Sequence, residues 1–157
     1  MKHLFAAVLA LALSACGPTY VTNTRIPYTA EKQALADVVE SYRVALEQRD
    51  IDKLKSLVSE DYYENASTTD DPTDDYGYEG FLKICEDLRD HVSAVRVEFT
   101  ITSIDVVSEE IALVDLNYKS HYLFDGAGEE KVWQTANDKN RLTFKREKDH
   151  WRILSGL

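Results

Sequence analysis

Asp115, Asn117 and His121 are the residues whose types and spacing come nearest to a proton-transfer site. Spaced by two and four positions, they share one face of an extended strand. An isomerisation needs a carboxylate base beside the substrate carbon and a tyrosine or protonated acid to hold the oxyanion. Tyr62 is the tyrosine that would stand opposite if that face lines a pocket. The same alternation describes the solvated side of a half-buried strand, where these groups do no chemistry. Tyr62 and Tyr63, with Tyr76 and Tyr78, flank a polar stretch and suit the aromatic wall of an apolar ligand site. They equally suit a core edge whose hydroxyls stay wet. Trp133 completes the candidate ligand-binding set of Tyr62, Tyr63, Asp115, His121 and Trp133, although both Trp133 and Trp151 also read as core or rim packing.

Other constellations point to less. Asp70, Asp71, Asp74 and Asp75 form the densest acidic cluster, which invites a calcium reading. Both EF-hand registers fail, because Pro72 falls on a ligand position in one, and Asp75 or Tyr76 falls where the glycine belongs. The expectation is a solvated loop whose last aspartates cap a helix, with no metal and no cofactor. His91 and His150 make no ligand pair, and no Gly-x-Ser-x-Gly turn exists. No set of catalytic residues is assigned.

The elements that would position these groups follow from hydrophobic periodicity. Leu35, Val38, Val39, Tyr42 and Leu46 form one helical stripe over 30–49, with Thr29 as N-cap and Glu31 at the positive end of the dipole. Asp50 caps a short second helix that turns Leu54, Leu57 and Val58 inward. Residues 59–76 read as a long loop. A third helix over 77–91 carries Phe81, Ile84, Cys85 and Leu88 at the spacing of a buried face. The period then changes to two. Val95, Val97, Phe99 and Ile101 define one strand, and Ala112, Val114, Leu116, Tyr118 and Tyr122 the inner side of the next. Asp125-Gly126-Ala127-Gly128 makes a turn into a strand beginning at 132–135. Whether 132–146 is one strand bent near Asn137-Asp138 or two is left open. A last strand covers 151–154. Helices followed by antiparallel strands make an α+β fold.

The N-terminal residues bear on location. Met1-Lys2-His3 is a basic start, and an apolar run of about ten residues follows from Leu4 to Leu13, short of the ~20 needed to span a bilayer. Leu13-Ser14-Ala15-Cys16 then resembles the lipobox of bacterial lipoproteins. That resemblance implies cleavage before Cys16, a diacylated thiol and an acylated amine, which together anchor a protein stably. Gly17 stands where an aspartate often retains such lipoproteins in the inner membrane, so an outer-membrane anchor facing the periplasm is expected. The alternative is an ordinary cleaved signal, with Cys16 free to pair with Cys85. Lipidation would leave Cys85 without a disulfide partner, as a buried small hydrophobe. Residues 1–15 are thus read as signal peptide and 16–29 as the lipidated cysteine and a tether of roughly 20 Å. A net charge of −10 with no basic cluster excludes a nucleic-acid partner and leaves membrane contact to the lipid.

Residues 30–157 form the domain. Tyr42, Ala45-Leu46, Arg49-Asp50, Leu54, Leu57-Val58 and Asp61, then Phe144, Trp151 and Ile153, resemble the nuclear-transport-factor-2-like superfamily, cystatin-like and SnoaL-like, over roughly 31–157. Asp149-His150 replace the hairpin glycine often found before the tryptophan. The resemblance implies a half-open cone of N-terminal helices packed on a curved antiparallel sheet. The expected function is a non-enzymatic, lipid-anchored envelope protein that binds a small apolar ligand or an envelope partner, or pairs as a homodimer. The alternative is a small isomerase or cyclase-type enzyme with a polar pocket in the cone. The two divide on whether an acid or base lies inside a deep pocket.

Overall fold

The computed structural model describes residues 19–65, 72–125 and 130–157. Cys16 and the expected signal therefore lie outside the described residues, as do Asp70, Asp71 and the glycines of the expected 125–128 turn.

Helix α1 (Ala30–Gln48) begins where the Thr29 hydroxyl accepts the Lys32 N–H at 3.1 Å. Its inward stripe is Leu35, Ala36, Val39, Tyr42, Ala45 and Leu46. Arg49 ends it in the left-handed conformation, φ 52°, and Asp50 then accepts the Lys53 N–H at 3.0 Å to start α2 (Ile51–Leu57). Leu54, Leu57 and Val58 are buried as the stripe requires. The segment before α1 is not a bare tether over its described part. Val21 is buried, its N–H bonds Ile26 O, Tyr28 N–H bonds Thr19 O, and Thr22 N–H bonds the Gln33 side chain. Paired turns, rather than an apolar stripe, hold 19–29 against the domain, so this stretch carries no periodicity.

The expected loop over 59–76 contains a small ladder, β1 (Tyr63–Glu64) paired antiparallel with β2 (Tyr76–Gly77). Helix α3 (Tyr78–His91) follows. Its N-cap is Gly77 with no side-chain cap, so the expected aspartate cap is absent, and Asp75 instead accepts the Tyr63 hydroxyl. Phe81, Cys85 and Leu88 are buried, but Ile84 is 49% exposed. Ile84 sits at the margin of the stripe and faces the open end of the molecule.

The sheet is β3 (Val92–Val106), β4 (Ile111–Asp125), β5 (Lys131–Glu147) and β6 (His150–Ser155), antiparallel in that order. The open question about 132–146 resolves to one strand. On the helix-facing side, Val106, Ala112, Phe144 and Ile153 form one row and Ile104, Val114 and Leu142 the next. These rows are the dry end, packed on Leu35, Val39, Leu54 and Val58. Further along the same face the rows are Phe99–Tyr118, Val97–Ser120–Ala136 and Val95–Tyr122–Gln134, and burial falls towards β5. The helices leave this end uncovered, so one face is core at one end and cavity wall at the other. A bulge between Ile101 and Ser103 bends β3 at the transition. Along β5, strand β6 reaches only 143–147, which leaves Lys131–Asn140 as a free edge guarded by Lys131, Asp138 and Lys139.

Candidate functional site

The sheet separates the sequence-derived candidates. Asp115, His121 and Trp133 lie on the face turned away from the helices, and Tyr62 lies on the helix side. Asp115 is held by Arg141 at 2.6 Å and Ser103 at 2.9 Å, and the Arg141 guanidinium, then the Ser103 hydroxyl, keep its carboxyl below the usual range. His121 Nδ1 is 2.9 Å from the Thr135 hydroxyl. Arg96 stands over the half-exposed Trp133 ring at 6.0 Å. His121 and Trp133 do border a common hollow of about 570 Å³ with Arg96 and Glu98, but it is an open trough along the β3 edge. Tyr62 is buried against Tyr76 and Phe81, with its hydroxyl donated to Glu64 at 2.9 Å. Tyr63 is exposed and tied to Asp75. The isomerase-like set of Asp115, Asn117 and His121 with Tyr62 opposite is therefore not assembled, because the alternation puts the polar row on the outer face.

The cavity lies in the cone itself and is built from residues that the helix and strand stripes had placed inward. Its inner chamber, about 260 Å³, is lined by Tyr42 and Leu46 of α1, by Phe99, Leu116, Tyr118, Ser120 and Tyr122 of the sheet, and by Asn140 and Leu157. A second chamber of about 320 Å³ continues towards the mouth between Tyr76, Phe81, Ile84, Leu88 and Phe124. Each is near the lower end of small-molecule sites, which run from about 300 Å³. The rings of Tyr42 and Phe99 are stacked, 6.4 Å apart and 6° from parallel.

The chemistry of this lining is narrow. Among the described lining residues the only side chain charged at neutral pH is Asp87, an exposed residue of α3 on the outer chamber. Burial pushes the Tyr42 and Tyr122 hydroxyls up, so both remain neutral hydrogen-bond donors. Ser120 is a buried polar residue in an otherwise apolar and aromatic row. That was the available signal in the sequence: a serine between Tyr118 and Tyr122 interrupts the inner set of β4 without reason if the row were only core. Among the described residues no group of His, Cys, Asp and Glu could hold a metal ion, and no helix is long and apolar enough to cross a membrane.

A family model described as a SnoaL-like domain matches residues 35–156. Comparison with curated proteins finds no match. Among solved structures, the chain is similar to a conserved protein from Planctomyces limnophilus, with TM-score 0.67, 19% identity, and 81% of this chain and 93% of that chain covered. A ketosteroid isomerase-like protein from Erwinia carotovora atroseptica gives TM-score 0.62 at 12% identity, covering 82% and 95%. A hexachlorocyclohexane dehydrochlorinase gives 0.63 at 16% identity, covering 81% and 82%. Identities this low speak for the fold alone.

Proposed function

Because this chain belongs to the SnoaL-like domain family, we propose that its cone binds a small, uncharged, largely apolar or aromatic molecule and performs no acid–base step. The observation that carries this reading is the lining: tyrosine and serine hydroxyls and one side-chain amide on an aromatic wall, with no charged side chain in the inner chamber among the described residues. Such a wall removes apolar surface from water at roughly 25 cal/mol per Å² and leaves a few hydroxyls to set orientation. An ionised ligand would lose its hydration without a countercharge, so neutral molecules are favoured.

The test is titration with the neutral fluorophore 1-N-phenylnaphthylamine against wild type and Ser120→Leu. A saturable blue-shifted emission in wild type, weakened about tenfold or more when the added side chain fills the inner chamber, supports the reading. Equal binding by both proteins overturns it.

One observation favours a second reading, an isomerase-type enzyme: Asp87 is the one acidic side chain among the described residues that line the cavity. Under that reading wild type would exchange the α-protons of an enolisable cyclic ketone with deuterated water, and Asp87→Asn would not. The ligand-binding reading expects no exchange by either.

For location, we propose that Cys16 carries the lipid anchor and that the domain faces the periplasm from the outer membrane. The apolar run 4–13, Leu13-Ser14-Ala15-Cys16 and Gly17 support this. Labelling with a fatty-acid analogue should mark wild type and spare Cys16→Ser, and equal label in both would refute it.

A further inference from the structure

The two chambers share four lining residues: Tyr42, Leu46, Tyr122 and Leu157. The first three belong to α1 and β4, which frame the cone. Leu157 belongs to neither; it reaches the cavity from the turn after β6. Gly156 makes that turn at φ 95°, where a Cβ would collide with Arg141 O. Five hydrogen bonds then fix the segment. Leu157 N–H is 3.2 Å from the Tyr62 hydroxyl and 3.3 Å from Glu64 Oε2, and the Tyr76 hydroxyl donates to Leu157 O at 3.0 Å. Gly156 N–H donates to the same Glu64 oxygen, and the Asn140 amide donates to Gly156 O at 2.6 Å. Tyr62 also donates to that oxygen, so one carboxylate oxygen collects three donors from two parts of the chain.

We propose that Leu157 is the specificity-determining residue of the cone, a divider between its chambers, and that Glu64 is the residue that positions it. This rests on the ligand-binding reading above. A compact neutral ligand occupies one chamber with Leu157 in place. An elongated one needs both, and must either push Leu157 aside against its hydrogen bonds or be excluded. The cone thereby selects by length as well as by polarity.

The experiment compares two neutral probes in the full chain: compact 1-N-phenylnaphthylamine and rod-shaped 1,6-diphenylhexatriene. Leu157→Ala should tighten diphenylhexatriene binding about tenfold and change phenylnaphthylamine binding by less than about threefold, the cost of overpacking being removed for the long probe only. Leu157→Phe, which keeps an apolar divider and enlarges it, should weaken the long probe relative to the compact one. Glu64→Ala should shift the ratio of affinities in the direction of Leu157→Ala, and Glu64→Gln, which retains an acceptor, should restore part of it. A merely structural role for Glu64 would lower both affinities together and leave the ratio unchanged. If wild type binds phenylnaphthylamine and no Leu157 variant alters the ratio, the divider is refuted while the ligand-binding reading stands. If wild type binds neither probe, both are refuted.

Discussion

Burial pushes the Cys85 thiol up to about 11 from its ordinary 9.0, with Lys55 partly opposing. The fold therefore prefers the neutral thiol. Its contribution to stability is complete below pH 9 and is lost as the pH rises towards about 11. Urea unfolding between pH 8 and 11 should show this loss in wild type and a flatter curve in Cys85→Ala, although tyrosines still ionise above pH 10 in both. The native thiol should also resist Ellman's reagent at pH 7.5 and react at once in urea. Asp115 has the opposite sign. Its carboxyl is held down by Arg141, so its contribution is present above the ordinary aspartate value and is lost as the pH falls through its lowered one. With Arg141 62% exposed, the pair is screened and worth little. Asp115→Asn should lower the melting temperature slightly at neutral pH, by less as the pH falls below the ordinary aspartate range, and leave phenylnaphthylamine affinity unchanged. A large loss of probe binding would return Asp115 to the site.

At the scale of elements, two non-glycine residues in left-handed conformation respond differently to the same change. Lys148 turns the β5–β6 hairpin at φ 57°, and no hydrogen bond from its side chain is among those described. Lys148→Gly should stabilise the protein by about 1 kcal/mol, the left-handed cost of an L-residue. Arg49 ends α1 at φ 52°, but its guanidinium also donates to Val92 O at the start of β3. Arg49→Gly should therefore gain less than Lys148→Gly, or lose stability, because the relief of strain is offset by a lost bond between α1 and the sheet. Asp50→Ala, which removes the α2 cap, should cost about 1 kcal/mol. Chemical denaturation of the four proteins ranks these effects, and an equal gain at positions 49 and 148 would show that the Arg49 bond contributes nothing.

At the scale of the molecule, one sheet face serves two purposes because the helices are shorter than the strands they cover. Where α1 and α2 reach, Phe144, Ile153, Ile104 and Val114 are dry core. Beyond them the same face becomes the wall of a cavity, with α3 along its outer chamber and Leu157 on the lining of both chambers. Filling the inner chamber should therefore block the probe without unfolding the protein. Ser120→Leu should keep a melting temperature near that of wild type while losing probe affinity, whereas Val114→Ala, at the dry end, should lose about 1–3 kcal/mol of stability and keep affinity per folded molecule. Loss of stability and affinity in both variants would mean that the two ends are not separable.

The two helix caps, the stripe of α1, the change from helical to strand period after His91 and the inner set of β4 were all legible in the sequence. Each is a local property: a capping oxygen three residues before an N–H, or a period of 3.6 or 2. The outer placement of Asp115, Asn117 and His121 was contained in the same alternation, since the set opposite them was the more apolar one. The chain around 19–29, the β1–β2 ladder, the exposure of Ile84 and the position of Leu157 were not legible. Turns paired across a few residues leave no period, the ladder joins strands separated by a polar stretch, and the margin of a helical stripe is buried only if a neighbour reaches it. Local periodicity assigns most of the inward-facing residues. How far the helices extend over them, and hence where core ends and cavity begins, depends on contacts between distant elements that no local pattern records.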